Sequence, residues 1–327
     1  MNSALQRVSA PCCSIVVCTH ERPEHLRACL ESLRRLDYES FSITIVDNAP
    51  QTERTRKLAD EFAAGYQVEP RLGLSRARNH GAQKAKGDIL AYLDDDALAK
   101  PGWLRALVHE FEDPAVVAVG GRVVPVGGES ESRQAGQLRG SYLPGEVRLE
   151  VDRNSEDWFA KTNFGALGIG TNMAFRRSVF ERWPGFDPRL GRGTLLDVGE
   201  ETYAFAELVK LGHKVVYTPH AIVQHPYIPP RNELISRRIR SRASLTAYLT
   251  FLLCEEPRFA PQTLRYIWQR LCGRPPQWRA NLEPPEEVIP WWRASFALAG
   301  GPLLYFRTLL LRPRRSTNRK GNGELPR

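Results

Sequence analysis

The chain has 327 residues, of which 42% are hydrophobic and 25% are charged, so it can bury one large core or two smaller ones. The charge is uneven: residues 231–327 hold 18 Lys and Arg against 7 Asp and Glu, a net charge of +11, whereas the whole chain carries +9. A near-neutral body with a basic C-terminal part indicates an acidic partner for that part alone, such as lipid headgroups or nucleic acid. The six cysteines form no C-x-x-C pair, so reduced thiols are expected rather than a disulfide or zinc framework.

Apolar runs in this sequence are too short to cross a membrane. No segment reaches the ~20 uninterrupted apolar residues of a spanning helix, and the N-terminus lacks the apolar core of a signal peptide. The longest candidate, residues 294–311, is interrupted by Gly300-Gly301-Pro302 and by Arg307. We therefore expect a cytoplasmic protein, soluble or peripheral on the cytoplasmic face of the membrane.

Residues 12–121 alternate between apolar runs typical of buried strands and amphipathic segments typical of helices. Helices are expected to begin at Pro23 and Pro101, because proline suits the first turn of a helix. Such alternation predicts an α/β fold with a mostly parallel central sheet and helices on both faces. The predicted strands cover residues 13–18, 41–46, 88–93 and 115–119, and two further helices cover about 52–64 and 75–86.

The middle of the chain is richer in glycine. Residues 125–160 are polar and predict a long surface excursion, and residues 185–199, with four glycines, predict a mobile loop. A helix over residues 200–211 and a last strand over residues 214–217 are expected to follow.

Polar side chains follow three of the predicted strands where each strand ends. They are Thr19–Arg22, Asp47-Asn48 and Asp94–Asp96. Ligands of open α/β sheets bind beyond the carboxyl ends of the strands. We therefore expect these side chains to converge on one small-molecule site.

The run Asp94-Asp95-Asp96 is the strongest indication of chemistry. Three carboxylates at a buried strand end repel one another, and a divalent cation relieves the repulsion. Mg²⁺ or Mn²⁺ suits a set of carboxylate and phosphate oxygens. The alternatives are an acidic turn before the next helix and a phosphatase-type D-x-D, which Ala97 and Leu98 disfavour because a threonine usually follows there.

A second acidic group, Glu200-Glu201, opens a predicted helix after the glycine-rich loop. The pair either caps that helix, whose dipole favours carboxylates, or is delivered to a pocket as a general base. His225 follows the last strand, and near Asp96 its imidazole would complete a metal shell, although a structural histidine is the alternative.

For Asp47 and Arg78 the sequence leaves two interpretations open. Asp47 either accepts a hydrogen bond from a base or a ribose, or forms an Asx-turn with Asn48. Arg78, like Arg76, either contacts phosphate or belongs to an exposed helix face.

The chain resembles family 2 (inverting) glycosyltransferases of the GT-A fold in an ordered set of motifs. They begin with SIVVCTHERPEHLRACLESL, IVDN and GLSRARNHGAQKAKGDILAYLDDDALAKPGWL, and end with GIGTNMAFRRSVFERWPGFDPRLGRG and GEETYAFAELVKLGHKVVYTPHAIVQH. The resemblance covers about residues 13–226. It implies a nucleotide-diphosphate sugar donor, Mg²⁺ or Mn²⁺, and a single inverting displacement by the hydroxyl of a glycan or lipid-linked acceptor.

The same resemblance implies roles for individual residues. Glu201 would be the catalytic base, with Glu200 beside it, although the family pair is commonly Glu-Asp. The implied metal ligands are Asp94, Asp96 and His225. The implied nucleotide-sugar-binding residues are Thr19, His20, Glu21, Arg22, Asp47, Arg78, Asp94, Asp95 and Asn172.

Two other functions are compatible with parts of the pattern. A nucleotidyltransferase also uses a metal and a nucleotide, but it predicts a glycine-rich phosphate loop after the first strand, where this chain has THERPEH. A catalytically inactive nucleotide-sugar-binding protein is expected to have lost acids of the aspartate triplet or of the glutamate pair, and both are present.

The C-terminal part matches no motif of the family. We divide the chain into a catalytic domain over residues 1–228 and a basic, aromatic-rich helical region over residues 229–327, with helices over 236–254 and 291–311. Its arginines alternate with tryptophan and phenylalanine, which favours a segment lying in a lipid interface. The alternative is a helical subdomain packed on the sheet. Nucleic-acid binding is not expected, because no recognised module is present.

Overall fold

The computed structural model describes residues 11–126, 145–225, 231–272 and 290–311. Within them, nine strands form one central sheet with helices on both faces. The strands are β1 (Cys13–Thr19), β2 (Phe41–Asn48), β3 (Gly65–Glu69), β4 (Ile89–Asp94), β5 (Leu98–Ala99), β6 (Val116–Pro125), β7 (Leu149–Val151), β8 (Asn172–Arg176) and β9 (Lys214–His225). The helices are α1 (Pro23–Leu33), α2 (Arg54–Glu61), α3 (Leu74–Lys84), α4 (Trp103–Glu110), α5 (Trp158–Asn163), α6 (Glu200–Lys210), α7 (Arg231–Glu255), α8 (Ala260–Leu271) and α9 (Trp291–Leu310).

The strand order is β3-β2-β1-β4-β8-β6-β9-β5, and β7 pairs with the first part of β9. The expected parallel arrangement holds for β3, β2, β1 and β4 and for the β6–β9 pair. Strand β8 runs antiparallel to both β4 and β6, and β5 and β7 run antiparallel to β9. The α/β class is therefore confirmed, and the sheet is more mixed than the sequence predicts because β5, β7 and β8 run antiparallel to their neighbours.

Alternation along β1 explains why helices cover both faces of the sheet. Successive side chains of a strand point to opposite faces. Cys13, Ile15 and Val17 belong to the apolar core under α1 and α4, whereas Val16 belongs to the core under α3 and α6. Because both faces are covered, this strand reads as one continuous apolar run.

Several predicted boundaries change in the structure. Strand β6 continues to Pro125 and β9 continues to His225, which carries both strands to the edge where the site lies. Part of the predicted excursion forms β7 and the start of α5, while residues 127–144 lie outside the described residues. The glycine-rich segment 185–199 is a loop, as expected, and it packs inward through buried Leu190 and Leu196.

The C-terminal helices share a third apolar core with the rest of the chain. This core joins Phe159, Phe164, Leu190, Leu196 and Tyr203 to side chains from α7, α8 and α9. Its C-terminal members are Ala247, Tyr248, Leu249, Phe251, Leu252, Tyr266 and Tyr305. The core therefore crosses the predicted division at residue 228. None of the helices in the described ranges is long and apolar enough to cross a membrane.

Candidate active site

A cavity of about 780 Å³ lies at the carboxyl ends of β1, β2 and β4. The three strand-end segments meet here, and α6 and the end of β9 bring their own polar groups to the same space. Its lining includes Thr19, His20, Arg22, Asn48, Asp94, Asp95, Asp96, Glu200, Glu201 and His225. One cavity thus contains both the aspartate triplet and the glutamate pair.

Asp95, the middle acid of the triplet, points inward and is only 4% exposed. The Thr19 hydroxyl donates to its Oδ2 at 2.6 Å, and Arg22 Nη1 lies 2.9 Å from its Oδ1. Burial raises the pKa of Asp95 to about 7, although the charge of Arg22 opposes that rise. Asp95 therefore orders Thr19 and Arg22 at the cavity wall.

Asp96 is paired on both of its oxygens. Arg22 Nη2 donates to Oδ2 at 2.6 Å, and His225 Nε2 lies 3.0 Å from Oδ1. Burial alone would raise the pKa of Asp96, but the hydrogen bonds and charges of His225 and Arg22 outweigh it and hold that pKa well below its usual range. The side chains of His225 and Asp96 are therefore in direct contact.

Asp94 faces a different set of partners from Asp96. The Thr171 hydroxyl donates to its Oδ2 at 2.8 Å, and Arg78 Nη2 donates to its Oδ1 at 3.2 Å. Within the described residues, no group of three or more His, Cys, Asp or Glu side chains is arranged to hold a metal ion. The structure thus brings Asp96 and His225 together and leaves Asp94 apart from them.

The chemistry of Asp96 and His225 nevertheless fits a divalent ion whose remaining ligands come from a substrate. Mg²⁺ commonly binds through one or two carboxylates together with substrate phosphates, and imidazole is an accepted ligand for the transition metals. Both side chains are nearly buried at the cavity wall, with 12% and 11% exposure.

Arg78 lines the cavity and is almost fully buried, with 2% exposure. Its Nη1 donates to Glu200 Oε1 at 3.0 Å, and its Nη2 donates to the Gly170 carbonyl at 2.8 Å as well as to Asp94. The guanidinium also lies 5.6 Å from the centroid of the Phe186 ring. This burial rules out an exposed helix face for Arg78, whereas its contact with a phosphate stays a prediction. In the structure Arg78 bridges the aspartate triplet and the glutamate pair.

The glutamate pair opens α6, as predicted, and its two members differ. Gly199 precedes them with a φ of +95°, and a Cβ there would fall 2.5 Å from the Tyr248 ring. Both glutamates line the cavity, and Glu200 pairs with Arg78. Burial raises the pKa of Glu201 to about 8, and the negative charge of Glu200 adds to that effect.

Asp47 is fully buried behind the cavity instead of lining it. The Tyr66 hydroxyl donates to its Oδ2 at 2.9 Å, and its Oδ1 has no hydrogen-bond partner within the described residues. Burial raises the pKa of Asp47. Asn48 reaches the cavity, and its side chain accepts from Gly73 N–H at 2.9 Å. Of the predicted strand end Asp47-Asn48, it is therefore Asn48 that lines the cavity.

Glu21 and Asn172 are also away from the cavity lining. Glu21 has a φ of +51° and accepts from the Gln51 and Thr52 backbone N–H groups at 2.7 and 3.2 Å. Asn172 is fully buried at the start of β8, where it donates to two carbonyls and accepts from Trp103 Nε1 at 2.8 Å. The placement of Asn172 corrects its prediction as a nucleotide-sugar ligand, because its side-chain groups are used internally.

Sequence reasoning missed the contribution of α7 to this cavity. Arg240, Ser241 and Ser244 line it from that helix, and Arg192 and Asp197 line it from the glycine-rich loop. The sequence feature that could have indicated this wall is the polar stretch R-S-R-A-S, residues 240–244, in a helix whose later residues are apolar.

The architecture is that of GT-A glycosyltransferases. A mannosyltransferase from Pyrobaculum calidifontis, solved in complex with GDP-Man and Mn²⁺, is similar with a TM-score of 0.57 and 18% identity, covering 94% of this chain and 77% of that one. This likeness shows the fold. The chain belongs to glycosyl transferase family 2, whose sequence model matches residues 14–183.

Curated relatives transfer several different sugars. The chain is 30% identical over 230 residues to a glucosyl-dolichyl phosphate glucuronosyltransferase of Haloferax volcanii, covering 67% of this chain and 71% of that protein. It is 26% identical over 217 residues to an N-acetylglucosaminyltransferase of Rhizobium leguminosarum, covering 64% and 49%. It is 30% identical over 168 residues to the O-antigen chain rhamnosyltransferase RfbN of Salmonella typhimurium, covering 49% and 50%. The chain spans about half the length of the latter two proteins.

Proposed function

We propose that this protein is an inverting glycosyltransferase that moves a sugar from a nucleoside diphosphate to an acceptor hydroxyl. The observation that supports the proposal most directly is the single cavity joining Asp96 and His225 to Glu201. Transfer chemistry needs a cationic site for the leaving diphosphate and a base for the acceptor in one space.

The aspartate side suits the donor diphosphate. The Asp96 carboxylate and the His225 imidazole would hold Mg²⁺ or Mn²⁺ together with the diphosphate oxygens. When bound, such an ion neutralises the charge that grows on the leaving diphosphate. The Mn²⁺ and GDP-Man in the similar mannosyltransferase support this assignment. Arg22 holds Asp95 and Asp96 in place, and Arg78 does the same for Asp94.

Glu201 suits the acceptor side. Burial raises the pKa of Glu201, so its carboxylate form is a stronger base than that of an exposed glutamate and suits proton removal from a hydroxyl. The freed acceptor oxygen would attack the anomeric carbon opposite the diphosphate, so that one carbon–oxygen bond forms as the other breaks and the configuration inverts. Glu200 is held by Arg78 and serves to position α6.

The exposed surface of α8 and α9 supports contact with a lipid interface. Helical spacing places one apolar stripe along α9, whose opposite face packs against α7. The stripe consists of Trp292, Phe296, Leu303, Phe306 and Leu310, which are 47% to 85% exposed. Leu264, Trp268 and Leu271 form a second stripe on α8, with 54% to 73% exposure. We propose that these stripes rest on the cytoplasmic face of a membrane and that the acceptor is lipid-linked.

A donor panel tests the transferase. UDP-, GDP- and dTDP-sugars are offered with Mg²⁺ or Mn²⁺, and nucleotide release is measured. We expect one donor class to turn over, EDTA to abolish release, and His225→Gln to lose activity. His220→Gln is the matched control, because His220 lies on the same strand and is exposed. Equal activity of the two histidine variants would refute the metal site.

A vesicle flotation assay tests the lipid contact. The full chain is mixed with vesicles that contain anionic lipid, and the variant with Phe296→Ser and Leu303→Ser is compared with wild type. The control variant carries Val147→Ser and Leu211→Ser, two exposed apolar residues outside both stripes. We expect only the α9 variant to lose flotation. Equal flotation of all three proteins would refute the interface.

A further inference from the structure

Helix α7 forms the wall of the cavity that the donor chemistry leaves unexplained. Arg240, Ser241 and Ser244 reach the cavity from this helix. Residues three and four positions apart lie on the same side of a helix, so the guanidinium and the two hydroxyls belong to one patch. This patch, defined by these three residues, is called the α7 patch below.

The other arginines of the cavity already have carboxylate partners. Arg22 pairs with Asp95 and Asp96, Arg78 pairs with Asp94 and Glu200, and Arg192 pairs with Asp197 at 3.0 Å.

Arg240 is different from these three. It is exposed, and no ion-pair partner for it is present among the residues that the structure describes. Its charge is therefore available to a ligand.

The chemistry of the α7 patch matches a phosphate group. A guanidinium presents donors in a fork that fits phosphate oxygens, and hydroxyls can complete the contact. The donor diphosphate has its own cationic site at Asp96 and His225 under the proposed function. A second anion-binding patch in the same cavity then has to serve the other substrate.

The position of the α7 patch indicates where that phosphate comes from. Helix α9 packs closely on α7 through Gly301, where a Cβ would collide with Thr246 and the Ala247 backbone. The helix that carries the apolar stripe therefore packs directly on the helix that carries the α7 patch. A phosphate joined to a long apolar chain is the ligand class that suits a cationic patch and an apolar stripe on two helices in contact.

We propose that the α7 patch is an acceptor subsite for a phosphate carried on an amphiphile, the group that links an acceptor sugar to its lipid. This inference rests on the proposed function, since it assumes that the remaining substrate of the cavity is the acceptor. Arg240 would pair with the phosphate, and Ser241 and Ser244 would donate to its oxygens. The accepting hydroxyl of the sugar would then face Glu201.

Calorimetric binding to the full chain tests the α7 patch without requiring turnover. The probes are decyl phosphate, decyl glucoside and inorganic phosphate. The variant is Arg240→Gln, and the matched control is Arg242→Gln, an exposed arginine two positions along α7 that does not line the cavity. Because charged hydrogen bonds are strong, we expect Arg240→Gln to weaken decyl phosphate binding about 10- to 100-fold. Arg242→Gln and wild type are expected to bind it equally.

Three results would overturn the inference. Equal losses in the two arginine variants would indicate general attraction to a basic helix. If decyl glucoside bound as tightly as decyl phosphate or more tightly, the phosphate would not be the group recognised. If inorganic phosphate bound as tightly as decyl phosphate, the apolar chain would not contribute to binding. Failure of the donor panel would instead refute the proposed function, because decyl phosphate binding is measured without a donor.

Discussion

Replacing Arg78 with methionine should destabilise the protein strongly at neutral pH. Methionine keeps much of the apolar volume of the side chain but removes the cation between Asp94 and Glu200. Two carboxylates would then remain in a site where Glu200 is only 7% exposed. Removing one partner of a buried ion pair typically costs about 3–5 kcal/mol in the free energy of unfolding. The loss of the contact with the Gly170 carbonyl acts in the same direction.

The double variant Arg78→Met with Glu200→Gln separates the ion pair from simple packing. In the double variant the glutamine at position 200 is neutral, so only the Asp94 carboxylate is left without its cation. The free energy of unfolding should therefore be roughly 1–3 kcal/mol higher than that of Arg78→Met alone.

Urea unfolding of wild type, both single variants and the double variant at pH 7 measures these effects. If the free energy of unfolding of Arg78→Met lay within about 1 kcal/mol of wild type at pH 7, the buried ion pairs of Arg78 would not provide the stability described. Additive changes in the free energy of unfolding for the two substitutions would also contradict the prediction, because two residues that form a buried ion pair should show an interaction energy.

Three other substitutions test the acid groups and the loop that holds them. Glu201→Gln should abolish nucleotide release and remove a pH dependence of stability. The pKa of Glu201 rises from 4.5 to about 8 on folding, so its contribution to the stability of wild type falls as pH increases between these values. The difference in the free energy of unfolding between wild type and variant, measured by urea unfolding, should therefore change with pH in that range. Asp96→Asn should slow nucleotide release about 100-fold or more, and full activity of this variant in EDTA would contradict the cation site. Gly199→Ala forces a side chain into a φ of +95° against Tyr248, so it should lower the free energy of unfolding by about 2 kcal/mol or more, and an unchanged melting temperature would argue against the packing described.

The central strands could be predicted because burial on both faces leaves a simple pattern. Strands β1, β2 and β4 appear as apolar runs that end in polar residues, and the convergence of those ends follows from parallel pairing. Strand β3 is short and half-exposed, so the sequence offers no such run. The direction of β8 depends on the path of the chain before it, which local patterns do not report.

Long-range contacts explain most of what the sequence could not provide at the site. Arg78 and Glu200 are 122 positions apart, so their pairing could not be deduced from the spacing of charges around either one. The family resemblance predicts Asn172 as a ligand, but its environment is set by β6, β9 and α4, which enclose it. The place of α7 at the cavity likewise depends on packing between segments that are far apart in the chain.

The shared third core has a practical consequence for dissecting this enzyme. The segment that carries the family signature ends at residue 183, before the acid pair and before the helices that cover Phe159 and Phe164. A shortened form that stopped after β9 would leave Leu190, Leu196 and Tyr203 facing water. Studies of donor chemistry should therefore keep the entire chain and alter the α7 patch by point substitution.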